Sequence, residues 1–363
     1  ARLLKFLAYG LLALTARALR SHQEQLAAVV KAIATGQTEA RDILASVTPG
    51  GGKSLLPVIA AVALKRAGLI DRVCWVVPRD SLRLQAEEAF ADPRWRTTLG
   101  HSLTVRAAEN APDPSRGLDG YVTTYQGVAA APDLHLAEFR RHRTLLVIDE
   151  MHHLPALADV DPHTAAHTED PEDAQASRWS KAILPLLECA TVRLLLSGTL
   201  ERADGKGILW LPYRRGPRIR TREIELDAPG WLVVGYSRKQ ALAERSVLPV
   251  TFGAMDGEAT WRDEEQREVG PHRLAAHHPE ESTRPALFTA LRTGFAEALL
   301  REAFTATRDL RARRRQLRSL APDEPARGMG KLLVVAPDQS TARHCLTVIR
   351  AWVREYNEER PKK

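Results

Sequence analysis

The sequence predicts an α/β fold, a parallel sheet flanked by helices. Short apolar runs alternate with helical stretches over residues 19–230, the pattern of parallel strands joined by crossover helices. One run, Leu145-Leu146-Val147-Ile148, is unbroken, as a central strand covered on both faces must be. A third mark is a run of three glycines, Gly50-Gly51-Gly52, between one apolar run and the helix that follows.

The elements are expected in this order. Strands fall near 43–47, 73–77, 121–124, 144–148 and 192–197, and helices near 22–34, 54–67, 80–90 and 177–189. Pro57 stands in the first turn of its helix, where the missing N–H costs nothing. An Asp-, Pro- and His-rich loop occupies 155–176, and a Gly/Pro loop with Arg214, Arg215, Arg218, Arg220 and Arg222 follows Thr199. The polar stretch 254–283 reads as a flexible insertion. From Pro285 to about Leu320 a helical stripe runs through Leu287, Leu291, Phe295, Leu299 and Phe304. Its end, Arg311 to Arg318, suits either a solvated helix terminus or a phosphate contact. Pro322, Pro325 and Gly328 make a linker before a strand at 331–336.

Composition sets the bounds. The chain has 363 residues, enough for two domains. It is 44% hydrophobic and 27% charged, with a mean hydropathy of −0.27, ordinary values for a soluble protein. A net charge of +7 and a pI near 9.5 suit a polyanionic partner, or simply a basic surface. Cys74, Cys189 and Cys345 lack the spacing of a disulfide framework or a metal site. A reducing cytoplasm is therefore expected, with Cys74 and Cys345 in the core. Arg2 to Ala18 mimics a secretion signal, but its apolar run is shorter than the ~20 residues a membrane span needs. An amphipathic helix over 1–18 is expected, and no membrane association. His152, His153, His163 and His167 lack companions at zinc-like spacing.

Two motifs carry chemistry. Ala45-Ser46-Val47-Thr48-Pro49-Gly50-Gly51-Gly52-Lys53-Ser54 links a strand to a helix. Glycines let backbone N–H groups approach a triphosphate closely, and the helix N-terminus adds a positive dipole end. Lys53 is expected to reach the β- and γ-phosphates of ATP, and the Ser54 hydroxyl to ligate Mg²⁺. Val47 stands where the general phosphate-loop pattern has its first glycine. About a hundred residues on, Asp149 and Glu150 end the unbroken apolar strand, at the edge where open α/β sheets bind ligands. Asp149 is expected to hold Mg²⁺ and Glu150 to activate the attacking water.

Together these segments resemble superfamily 2 helicases and translocases of the restriction-enzyme and repair type. The loop Thr48 to Ser54 resembles motif I, and Asp149-Glu150-Met151-His152 resembles the DEAH box, with Met151 in place of the usual alanine. Leu19 to Gln23 resembles the segment whose glutamine reads adenine. Val73 to Leu82 resembles motif Ia, Val122 to Gln126 motif Ib, and Leu194 to Thr199 motif III. Tyr236 to Phe252 resembles the crossover segment of such translocases, and Lys331 to Ala336 motif IV.

The resemblance implies a RecA-like first lobe over 19–230, a crossover segment and insertion over 231–330, and the start of an incomplete second lobe over 331–363. ATP with Mg²⁺ would be held by Gln23, Thr48, Gly50, Gly51, Gly52, Lys53, Ser54 and Asp149. Glu150 is the implied base, and His152 the bridge to motif III. Arg79, Thr123, Thr124 and Gln126 would grip a nucleic-acid strand, DNA in preference to RNA. Ser197 and Thr199 would couple hydrolysis to movement. Motifs V and VI do not follow motif IV. The chain therefore reads as part of a longer protein that binds nucleotide and hydrolyses it poorly by itself. The alternative is a non-motor ATP- or DNA-binding switch or scaffold, with protein partners in a larger defence or repair complex.

Overall fold

The computed structural model describes residues 18–157, 171–202, 204–215, 222–248, 256–276, 280–320 and 332–358. The N-terminal helix expected over 1–18 and the histidines His163 and His167 therefore lie outside the described residues, apart from Ala18. The chain folds as two compact units that meet between Pro249 and Val250 in sequence.

The first unit is built on seven strands: β1 (Asp42–Val47), β2 (Arg72–Val77), β3 (Val105–Ala107), β4 (Gly120–Thr124), β5 (Thr144–Asp149), β6 (Val192–Ser197) and β9 (Trp231–Tyr236). Their order across the sheet is β3-β4-β2-β5-β6-β1-β9, and every pairing is parallel. This is the parallel α/β sheet that the alternating runs imply, and the RecA-like architecture that the resemblance implies. Two short strands, β7 (Tyr213–Arg215) and β8 (Arg222–Ile224), form a separate antiparallel pair.

Side chains alternate across the strands, so two cores form. On one face Ile43, Ala45, Val47, Val73, Trp75 and Val77 pack with Leu26 and Val30 of α1 (Ser21–Ala34). The same core takes Leu56, Ile59 and Leu64 of α2 (Leu56–Arg66) and Phe90 of α3 (Asp80–Ala91). The short helix α4 (Pro93–Leu99) follows α3, its first turn capped by the Asp92 carboxylate on the Arg94 N–H. On the other face Leu44, Cys74, Val76, Leu146, Ile148 and Leu195 pack with α5 (Tyr125–Ala130), α6 (Pro132–Arg141) and α7 (Pro171–Cys189). Both faces of β5 are dry, which is why its sequence shows no polar alternation. Cys74 and Cys345 are buried, as expected, and Cys189 is exposed.

The expected boundary after residue 230 falls immediately before a strand of this same sheet. Trp231–Tyr236 pairs with the whole length of β1, and α8 (Arg238–Ala243) follows it with a Ser237/Gln240 capping box.

In the second unit, part of the expected flexible insertion is an antiparallel hairpin, β10 (Glu258–Arg262) with β11 (Glu268–Arg273). The single long helix expected from 285 is two, α9 (Glu280–Leu291) and α10 (Gly294–Leu320), broken just before Gly294. The strand expected over 331–336 is not formed at 332–336. Leu333 and Val335 are 85% and 87% exposed, and no strand lies beside them among the described residues. A β-strand exists only through its ladder, so an apolar run without a neighbour stays irregular. The final helix, α11 (Gln339–Glu358), follows Asp338, whose carboxylate caps the Thr341 N–H at 2.8 Å. Among the described residues no helix is long and apolar enough to cross a membrane.

Candidate nucleotide site

The sheet order brings the two chemical motifs together. Strand β6 lies between β1 and β5, with Ser46 opposite Ser197 and Asp149 opposite Leu196. The glycine loop, the Ser-Gly-Thr turn and the acidic pair therefore leave three adjacent strand ends on one edge.

The loop needs its glycines. Gly50 and Gly52 have φ of +77° and +90°, a region that costs a side chain about 1–2 kcal/mol. At Gly51 a Cβ would lie 2.7 Å from Val47 Cγ1 and 2.8 Å from the Thr48 carbonyl oxygen. Thr48 itself is tied down, its N–H donating to the Tyr236 carbonyl at 3.0 Å and its carbonyl accepting from Gly51 N–H at 2.9 Å. Among the described residues no backbone hydrogen bond is made by the N–H groups of Gly52, Lys53 or Ser54. These donors stand at the first turn leading into α2, the arrangement that suits an anion.

Gln23 closes on this loop. Its amide donates to the Gly52 carbonyl at 3.2 Å, and its Oε1 accepts from Arg20 N–H at 2.9 Å. Arg20 Nη1 reaches the Gly50 carbonyl at 3.2 Å.

Lys53 pairs with both acids. Its Nζ lies 2.9 Å from Asp149 Oδ1 and also donates to Glu150 Oε1. The two carboxylates respond differently. Burial lifts Asp149 above the ordinary carboxylate range, although Lys53 pulls the other way. Burial acts on Glu150 too, but the Lys53 hydrogen bond and charge outweigh it, and Glu150 sits below its ordinary value. Glu150 is thus ionised near neutral pH. It also has φ +52°, a left-handed conformation that costs a non-glycine residue energy and persists only where surroundings impose it. The Tyr125 hydroxyl donates to the Asp149 carbonyl from full burial.

His152 connects the acids to the next strand. Its Nδ1 lies 3.0 Å from Ser197 Oγ and 3.5 Å from Glu150 Oε2. Burial lowers its pKa, so the ring is neutral near pH 7. Ser197 Oγ in turn accepts from Thr199 N–H at 3.1 Å and donates to the Thr199 carbonyl.

The expected strand-gripping residues divide. Arg79 and Gln126 are exposed and Thr124 is half-buried. Thr124 caps α5 through the Gly127 N–H at 3.0 Å. Thr123 is 2% exposed, so its side chain offers no surface to a strand.

Three participants escaped the sequence reading: Arg20 on the loop, Tyr236 beneath it, and Arg202. Arg202 donates to the His152 carbonyl at 2.6 Å. Each acts through a contact whose partner lies elsewhere in the chain, which local pattern cannot reveal. Tyr236 did stand at the head of the crossover segment.

No three-residue His, Cys, Asp or Glu cluster capable of holding a metal occurs among the described residues. On this edge the Ser54 hydroxyl and the Asp149 carboxylate are oxygen donors of the kind that Mg²⁺ takes. Magnesium takes one or two protein oxygens and completes its shell from phosphate and water.

Fold and site together define a superfamily 2 helicase-type protein of the restriction and repair kind. The profile of the family described as "Type III restriction enzyme, res subunit" matches residues 17–202, and the chain belongs to that family. An uncharacterized protein of Mycobacterium tuberculosis is 33% identical over 312 residues, covering 84% of this chain and 44% of the relative. One from Mycobacterium leprae is 32% identical over 333 residues, covering 90% and 47%. The chain spans less than half the length of these relatives.

Among solved structures, the Sulfolobus solfataricus SWI2/SNF2 ATPase core in complex with dsDNA matches at 18% identity and TM-score 0.35, covering 52% of this chain and 34% of that one. The UvsW helicase from bacteriophage T4 matches at 18% and 0.34, covering 53% and 60%. A nuclease-deletion mutant of the type ISP restriction-modification enzyme LlaGI, with a DNA substrate mimic, matches at 18% and 0.38, covering 63% and 18%.

Proposed function

We propose that this chain is the ATP-binding part of a DNA-dependent ATPase, a translocase or helicase that hydrolyses ATP against this sheet edge. The observation that carries the reading is Lys53 set against Asp149 and Glu150 beside a loop of backbone N–H donors. Lys53 would exchange its carboxylate partners for the β- and γ-phosphates. Gln23 and Arg20 would close over the loop from the N-terminal side. Ser54 and Asp149 would hold Mg²⁺, which neutralises phosphate charge when bound. Glu150, held ionised, would orient the attacking water and accept its proton. His152 and Ser197 would pass the change at the acids to the Ser-Gly-Thr turn, and Arg79, Thr124 and Gln126 would meet the strand.

The test is ATP hydrolysis by the chain with and without single- and double-stranded DNA, with Glu150→Gln alongside. DNA-stimulated turnover lost in that variant supports the reading. Nucleotide binding with no turnover, in this chain and in the longer protein containing it, supports a switch instead.

A further inference from the structure

The C-terminal half of α10 concentrates charge as no other described element does. Residues 308–320 hold six arginines, Arg308, Arg311, Arg313, Arg314, Arg315 and Arg318, against one acid, Asp309. Arg308, Arg311 and Arg313 are exposed. Asp309 pairs with Arg308 at 3.7 Å.

A helix C-terminus favours cations, but the dipole acts only over the last turn. Six arginines over three turns exceed what it can reward. Arg308 and Arg311, both exposed, stand at i,i+3 spacing, where like charges repel. A sequence that keeps this repulsion has a use for it outside the helix. The helix is also anchored. Phe304 meets Trp352 of α11 at 5.9 Å between ring centroids, with Arg301 over the same indole at 4.5 Å and Arg308 over Tyr356 at 5.6 Å. Packing against α11 thus fixes the root of the basic segment.

We propose that the exposed arginines of α10, Arg308, Arg311 and Arg313, form a contact for the phosphate backbone of a nucleic-acid duplex, built from residues other than those of the nucleotide site. Arginine forks match phosphate oxygens and are weakly hydrated, so they surrender water at modest cost. The contact is sequence-independent and works by counterion release. The inference rests on the proposed function only for the identity of the polyanion.

The experiment uses the whole chain without nucleotide and a fluorescent 20-base-pair duplex as probe. Binding is measured by anisotropy across a salt series. Arg311→Gln with Arg313→Gln should bind about 30-fold more weakly near 0.15 M salt, and the log–log salt slope should fall by about 0.9 per lost contact, near 2 in all. Arg311→Lys with Arg313→Lys should restore most of both. Unchanged affinity and slope in a variant with the parent's circular dichroism would overturn the proposal. So would a parent that fails to bind duplex at low salt, or polyglutamate competing as well as DNA at equal charge. Nucleotide binding at the Lys53 site, measured in the same samples, reports independently on the function proposed above.

Discussion

His152 Nδ1 stands 3.0 Å from Ser197 Oγ, joining the second residue after the acidic pair to the end of the neighbouring strand. The same histidine lies 3.5 Å from Glu150 Oε2. One neutral imidazole therefore touches both the acid that would activate water and the turn that would report on it. His152→Ala and Ser197→Ala should each reduce DNA stimulation of turnover about tenfold and leave nucleotide affinity nearly unchanged. Residues acting through one hydrogen bond are non-additive, so the double variant should be no worse than the weaker single. Fully additive losses in a double-mutant cycle would reject the link.

Lys53 carries a structural duty as well as the proposed phosphate contact. Its removal leaves Asp149 and Glu150 adjacent with no cation between them. Lys53→Met should weaken nucleotide binding about 100-fold, the equivalent of one or two charge-assisted hydrogen bonds. It should also destabilise the chain by about 1–3 kcal/mol near pH 7, less than a fully buried pair would cost because all three side chains keep some solvent contact. The sign of its pH dependence follows from burial. Without the lysine the main opposition to burial is gone at both carboxyls, so both shift upward and the folded state holds the protonated acids more readily. The stability deficit should shrink as pH falls toward 5 and grow as it rises. Denaturant midpoints of parent and variant across pH 5–8 check this.

His22 is 1% exposed and stacks on Tyr236, ring centroids 4.1 Å apart at 24°. Neither of its ring nitrogens finds a partner in the protein. Burial, reinforced by Arg20, pushes its pKa down to about 4. His135, also buried, falls to about 4 for the same first reason. A histidine depressed in the folded state keeps its full contribution above its unfolded pKa of about 6.5 and loses it as pH falls toward 4. Each of the two should cost on the order of 3 kcal/mol over that window. His22→Phe keeps the stack and removes two unsatisfied nitrogens, so at pH 7 it should be neutral or stabilising by about 1 kcal/mol. Its loss of stability between pH 6.5 and 4 should be smaller than the parent's. A variant clearly less stable at pH 7 would mean that His22 has a polar partner.

These residues also show how far the sequence could be read. Strands β1, β2, β4, β5 and β6 were visible because each is built around consecutive apolar residues that are buried on both faces of the sheet. The lysine and the acids were visible because their motifs are local and chemically distinctive. Three things were not. Strand β3 is three residues long, too short for any period. Trp231–Tyr236 is as apolar as the others, yet its membership of the sheet depends on pairing with β1, some 190 residues earlier, and no local signal announces that. The hairpin of β10 and β11 buries only Ala259 among its strand residues, so hydrophobic alternation, the usual sign of a strand, is missing. Tyr236 shows what the second of these cases hid. It ends the unforeseen strand, stacks on His22, supports Thr48, and would be struck by a Cβ at Gly51.

That last contact gives a sharp test of the loop. An alanine Cβ at Gly51 would lie 2.7 Å from Val47 Cγ1, 2.8 Å from the Thr48 carbonyl oxygen and 3.1 Å from Tyr236 Cδ1. Two of these neighbours are side chains packed in the core, and the third is backbone held by the sheet, so none can yield cheaply. Gly51→Ala should cost about 1–3 kcal/mol by overpacking and reshape the donors at Gly52, Lys53 and Ser54. Gly36→Ala is the matched control. Its φ is +71° with nothing within 4 Å of the added carbon, so it carries backbone strain of about 1–2 kcal/mol and no clash, far from the loop in sequence. With a fluorescent ATP analogue as probe, Gly36→Ala should bind as the parent does, while Gly51→Ala should bind at least tenfold more weakly even at temperatures where both are fully folded. Equal affinity in the two variants would mean that phosphate is not held by this loop, and the proposed site would have to be abandoned.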